Sequence, residues 1–140
     1  MKIVFDTNVL ISALITTGKP KELFNKAAQG QIQLIISKSI LKEFSQVAEN
    51  PQIRKYANED DVIGFVRVIN RVAKIVNVTS QFKAVKEDPD DDIVVRTAFD
   101  GKANYIVSGD KHLLSLGTFR GIKILTADEM LTLLKEQKIE

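Results

Sequence analysis

Two aspartates stand where short apolar runs stop. Ile3-Val4-Phe5 ends at Asp6, and Asn104-Tyr105-Ile106-Val107 gives way to Ser108-Gly109-Asp110. A carboxylate just past a buried parallel strand lies where open α/β sheets bind ligands. It also makes a common helix cap, and the stretch around Asp6 alone supports both roles. A third acidic group is Asp88-Pro89-Asp90-Asp91-Asp92. Asp88 there suits an N-cap and Pro89 the first helical position, and acids in a first turn favour the helix dipole. That explains acids at a helix start, but hardly four aspartates in five residues. Close carboxylates repel, and a divalent cation would neutralise them.

Position on the helix separates these acids. Asp91 lies three and four residues before Val94 and Val95, and Ala98 continues the stripe, so Asp91 points toward the sheet. Asp92 is rotated away by about 100°, with Arg96 at i+4 or solvent as its candidate partner. Glu43 sits on the flank of an apolar face formed by Ile40, Leu41, Phe44, Val47 and Ala48. It has no Ser or Thr three residues before it, so it is no capping-box partner. An acid there either snorkels to solvent or is paired or metal-bound.

Strand-end and helix-start acids converging on one crevice describe a hard-cation site. Mg2+ or Mn2+ fits, held by a few carboxylates, waters and a substrate phosphate. Such ions acidify a bound water and stabilise the attacking and leaving oxygens of an in-line phosphoryl displacement. Other chemistries fare worse. With no cysteine and one histidine, His112, thiolate and histidine-rich zinc sites are excluded, and His112 reads as a surface side chain. A phosphatase would need an acid two residues after the strand-end aspartate, where this chain has Asn8. Ser108-Gly109-Asp110-Lys111 lacks the spacing of a P-loop.

The elements that must position these residues alternate. Strands are expected at 3–5, 31–36, 75–78, 104–107 and 121–125. Helices are expected at 8–14, 21–29, from Ser37 or Ser39 to about 48, 52–72, 93–101 and from Thr126 onward, with a helical turn at 111–116. Whether Gly64 divides the long middle helix is open. Alternating strands and helices imply a mostly parallel sheet with right-handed crossovers. If the order is 3-2-1-4-5, the first and fourth strands are neighbours at the switch point, and Asp6 and Asp110 meet in one crevice.

Composition sets the bounds. A chain of 140 residues suits one domain, and 44% hydrophobic content suits a globular one. No apolar run approaches the ~20 residues of a membrane span, and Asp6 interrupts the first too early for a signal peptide. With no cysteine to form disulfides, a cytoplasmic location is expected. Net charge is only +2, but five of the 18 acids are Glu87, Asp88, Asp90, Asp91 and Asp92. The other 13 face 20 Lys and Arg, a balance of +7. A mildly basic body around one acidic spot suits an anionic polymer outside and a cation in the middle.

Four stretches, in this order and spacing, resemble the PIN-domain family of metal-dependent ribonucleases, particularly small prokaryotic toxins of toxin–antitoxin pairs. They are Val4-Phe5-Asp6-Thr7-Asn8-Val9-Leu10, Ser39-Ile40-Leu41-Lys42-Glu43, Asp88 to Asp92 through Thr97-Ala98, and Ala103 through Asp110-Lys111. The resemblance covers essentially the whole chain. It implies a single PIN domain over 1–140, a three-layer α/β/α fold with a five-stranded parallel sheet of order 3-2-1-4-5. It further implies Asp6, Glu43, Asp91 and Asp110 as catalytic acids around Mg2+ or Mn2+. Thr7 or Asn8 and Ser108 would help position waters or ligands, with Asp92 as a supporting neighbour. The family's frequent further aspartate, two residues after the fourth acid, is His112 here. An RNA substrate, a homodimer and an antitoxin partner are expected, and no membrane. Lys19, Lys21, Lys38, Lys42, Arg96 and Lys111, near strand ends or the following helices, are the candidates for gripping the RNA backbone. Two other readings compete: a catalytically idle PIN-like module binding RNA or protein, and a metal-dependent phosphatase.

Overall fold

Ile3, Val4 and Phe5 are fully buried, so β1 (Lys2–Phe5) is the strand on which the others are laid. β2 (Gln33–Ser37) and β4 (Tyr105–Val107) flank it, both parallel. The computed structural model describes residues 1–85 and 89–139. β3 (Lys74–Val76) lies outside β2, while β5 (Thr118–Phe119) and β6 (Ile122–Leu125) lie beyond β4. The sheet order is β3-β2-β1-β4-β6-β5. The parallel part therefore has the expected order, and its direction reverses between β1 and β4.

The sixth strand departs from expectation. β5 runs antiparallel to β6, and Arg120 and Gly121 join them with φ of 47° and 86°. Positive φ at both central residues is the hairpin turn that matches strand twist. Gly121 thus belongs to the turn and not to the last strand. Arg120 holds this conformation with its guanidinium 4.8, 5.2 and 5.0 Å from the ring centres of Phe82, Phe99 and Phe119. This satellite cluster fastens the hairpin and the loop around Phe82 to the helix that carries Phe99.

Helices α1 (Thr7–Ile15) and α2 (Lys19–Ala28) link β1 to β2. α3 (Lys38–Ala48), α4 (Pro51–Arg54) and α5 (Glu59–Val72) link β2 to β3. α6 (Pro89–Asp100) precedes β4, α7 (Lys111–Leu116) precedes β5, and α8 (Ala127–Ile139) follows β6. The expected 52–72 helix is broken, but not at Gly64. It breaks before Asn58, whose side chain accepts from Asp61 N while Asp61 accepts from Asn58 N, a reciprocal cap that starts α5. Ser37, not Ser39, caps α3 by accepting from Ile40 N.

Phe24 of α2 and Phe44 of α3 both stack on Phe65 of α5, with centroids 4.2 and 5.3 Å apart, which packs these helices together. α6 packs on β1, β2 and β4 through Val94, Val95 and Ala98. A Cβ on Gly101 would lie 2.6 Å from Ile35 Cγ2, so Ile35 faces the end of α6. The pleat then puts its register partners Val4, Ile106 and Ile124 on that face too. Gly101→Ala should accordingly lose about 1–3 kcal/mol, because the branched Ile35 side chain is fully buried and stiff. Thermal denaturation followed by circular dichroism checks this, and an unchanged melting temperature would contradict the close approach.

Candidate active site

The reversal of sheet order leaves a crevice beyond the carboxyl ends of β1 and β4. Asp6 fills both roles open to it. One carboxylate oxygen accepts from Val9 N at 2.8 Å and caps α1. The other accepts from the Ser108 hydroxyl, across from β4. The Ser108 Oγ in turn accepts from Asp110 N at 2.9 Å, so one buried serine ties the two strand-end acids together. Asp110 caps α7 by accepting from His112 N at 2.8 Å and Leu113 N at 3.3 Å. Glu43 does not snorkel away: it is half-buried, and its Oε2 accepts from the buried Thr7 hydroxyl at 2.9 Å. Asp91 is only 8% exposed and shares a side-chain hydrogen bond with Asp110. A cleft of about 210 Å3 is lined by Asp6, Thr7, Asn8, Glu43, Asp91, Val94 and Asp110.

Electrostatics differ among the acids. Burial raises the Asp6 carboxyl above its ordinary 3.8; hydrogen bonds from Ser108 and Val9 oppose this, and the Asp110 and Glu43 charges add to it. At Asp110 desolvation is outweighed by the N–H groups of Leu113 and His112, the Asp91 hydrogen bond and the His112 charge, so its carboxyl is held low. The cleft thus presents four carboxyl groups and no soft donor, the chemistry of a hard divalent ion. Among the described residues no three His, Asp or Glu side chains are arranged to hold an ion as they stand. The donor set fits in type and number, while its present spacing is that of carboxylates turned toward their own hydrogen-bond partners.

Asp92 requires a correction. It neither reaches solvent nor pairs with Arg96, being 5% exposed and accepting from Ala84 N and Val85 N, both at 2.7 Å. Arg96 Nε instead donates to the Phe82 carbonyl at 2.8 Å. Asp100 accepts from Thr79 N, Ser80 N and Ser80 Oγ. Residues 92, 96 and 100 recur every four positions, so one face of α6 grips the backbone of the preceding loop. Asp88, expected to cap α6, lies outside the described residues.

Of the candidate basic residues, Lys21 is half-buried, and Lys38, Lys42 and Lys111 are exposed. Lys19 forms an ion pair with Asp128 at the start of α8, and Arg96 is engaged as described. Sequence reasoning read Val94 only as part of the inward stripe and Ser37 only as a candidate cap, and missed that Val94 walls the cleft and that Ser37 pairs with the buried hydroxyl of Thr97. Thr97 left one signal: a polar residue between Val95 and Ala98 on a buried stripe. Among the described residues no helix is long and apolar enough to cross a membrane.

Comparisons with known proteins bear on the family and the fold. A family model described as PIN domain matches residues 2–112. The uncharacterized protein MJ1680 of Methanocaldococcus jannaschii is 36% identical over 118 residues, spanning 83% of this chain and 75% of that protein. Among solved structures, a chain in the crystal structure of VapBC2 from Rickettsia felis bound to a DNA fragment from their promoter superposes with a TM-score of 0.58. It is 10% identical, over 89% of this chain and 97% of that one, a likeness of fold.

Proposed function

The chain belongs to the PIN-domain family, and from that premise we propose that it is a Mg2+- or Mn2+-dependent endoribonuclease hydrolysing RNA phosphodiesters. The observation that carries the reading is the convergence of Asp6, Glu43, Asp91 and Asp110, from four separate elements, on one cleft at the switch point. These four residues would hold the ion. A divalent ion bound there would acidify a water and neutralise charge on the scissile phosphate. The chain's own residues do the rest. Ser108 and Val9 N fix the rotation of the Asp6 carboxylate, Thr7 fixes Glu43, and the first turn of α7 fixes Asp110. Asn8, exposed at the rim, offers an amide to a phosphate oxygen. Lys38 and Lys42, on the helix that carries Glu43, and Lys111, next to Asp110, would supply the grip on the backbone.

The same reading extends to a toxin held inactive by an antitoxin partner, and to a homodimer. The fold shared with a chain of the VapBC2 complex supports the first of these. Incubating purified protein with single-stranded RNA, with Mn2+ or with chelator, tests the activity. Cleavage only with metal supports it. RNA bound but uncut would leave a binding module, and turnover of small phosphoesters alone a phosphatase.

RNA affinity gives a second expectation. In chelator, log affinity should fall linearly with log salt, and Lys111→Ala should weaken binding to all RNA sequences alike and flatten that slope by about one. Affinity indifferent to salt, measured by fluorescence anisotropy, would point to an uncharged interface instead.

A further inference from the structure

α6 is gripped on one flank by the loop it binds through Asp92, Arg96 and Asp100. Its other flank is tied to the start of α3 through two hydroxyls, the cap Ser37 and Thr97. Thr97 is 0% and Ser37 1% exposed, and their oxygens are 2.9 Å apart although the residues are 60 positions distant. Thr97 Oγ1 also lies 2.7 Å from the Ile93 carbonyl, and Ser37 Oγ accepts from Ile40 N. Each hydroxyl has one proton, which fixes the order of the chain. Ile40 N–H donates to Ser37, Ser37 donates to Thr97, and Thr97 donates to the Ile93 carbonyl. The chain runs from the first turn of α3 to the middle of α6 with both hydroxyl protons used.

An apolar pair would fill this space without desolvating two hydroxyls, so the chain is better explained by what it specifies than by what it stabilises. What it specifies is the relation of two helices. Glu43 lies six residues after Ser37 on α3, and Asp91 lies six residues before Thr97 on α6. Each acid is about 9 Å along a rigid helix from the tie. Apolar packing tolerates sliding, whereas a directional hydrogen bond does not.

We infer that Thr97 and Ser37 are positioning residues that set how Glu43 and Asp91 face each other across the cleft. The inference rests on the metal-site reading above, and its test is built to fail separately from it. The measurement is the midpoint of a Mn2+ binding titration followed by isothermal titration calorimetry, in wild type, Thr97→Val and Thr97→Ser. Thr97→Val keeps the shape and deletes the hydroxyl, whereas Thr97→Ser restores it. The valine variant should require about tenfold more Mn2+, in the range known for residues that orient metal ligands, and the serine variant should stay within about twofold of wild type. A purely structural role would lower the melting temperature without metal and leave the Mn2+ midpoint in place. If Thr97→Val does not fold, Ser37→Ala breaks the same chain and takes its place. With wild type responding to Mn2+, an unchanged midpoint in the hydroxyl-deleted variant overturns the inference alone. A wild type indifferent to Mn2+ overturns the metal-site reading and the inference with it.

Discussion

Asp6→Asn is expected to melt at the same or a higher temperature than wild type in chelator and to lose its response to millimolar Mg2+ or Mn2+. The first half follows from linkage. Burial, with repulsion from Asp110 and Glu43, raises the Asp6 carboxyl above its value in the unfolded chain. The folded state therefore binds the Asp6 proton more tightly than the unfolded one, and stability falls as pH rises through the window between the two values. Above that window wild type bears the whole of this cost. Asparagine removes the charge and keeps the geometry, since its oxygen still accepts from Val9 N and its amide still meets Ser108. The second half follows from mass action: an ion at a hundred times its dissociation constant stabilises wild type by about 2.7 kcal/mol, a rise of several degrees at this size. That rise should shrink as pH falls and protons compete for Asp6. RNA cleavage should drop on the order of a hundredfold or more. Equal metal-induced rises in wild type and variant would remove Asp6 from the ligand set.

What could be read in the sequence was what repeats locally. β1 announced itself as a continuous apolar run, and its burial on both faces made Asp6 a crevice residue. The inward aim of Asp91 followed from its spacing to Val94, Val95 and Ala98, all buried. Contacts made by chain reversal were out of reach. Nothing near Glu43 signals that Thr7, 36 residues earlier, would donate to it. Asp92 lies on the flank that spacing assigns to it, yet its partners are N–H groups of an aperiodic loop, which no periodicity reveals. β5 was hidden for a related reason. Two residues hold too little pattern to register as a strand, and Arg120-Gly121 is not the Asn-Gly pair that usually marks such a hairpin.

Asp91 and Asp92 should respond oppositely to substitution. Asp92 is buried and accepts two backbone N–H groups at 2.7 Å, distances typical of charge-assisted bonds. Asp92→Ala would leave Ala84 N and Val85 N without that acceptor, in a region where Val85 itself is buried. A loss of about 2–4 kcal/mol is expected, or roughly 10 °C in melting temperature. The milder Asp92→Asn keeps an acceptor oxygen and should lose less. In both, a metal-induced rise should persist below the unfolding transition, because the side chain faces the loop and not the cleft. Asp91→Asn reverses the pattern. The asparagine amide can still donate to Asp110 in place of the hydrogen bond the two acids share, so stability in chelator should hold, while the metal response and RNA cleavage disappear. Thermal melts of the three variants, with and without Mn2+, separate the roles in one experiment. If Asp92→Asn abolishes the metal response and Asp91→Asn preserves it, the assignment of Asp91 to the cleft chemistry is wrong.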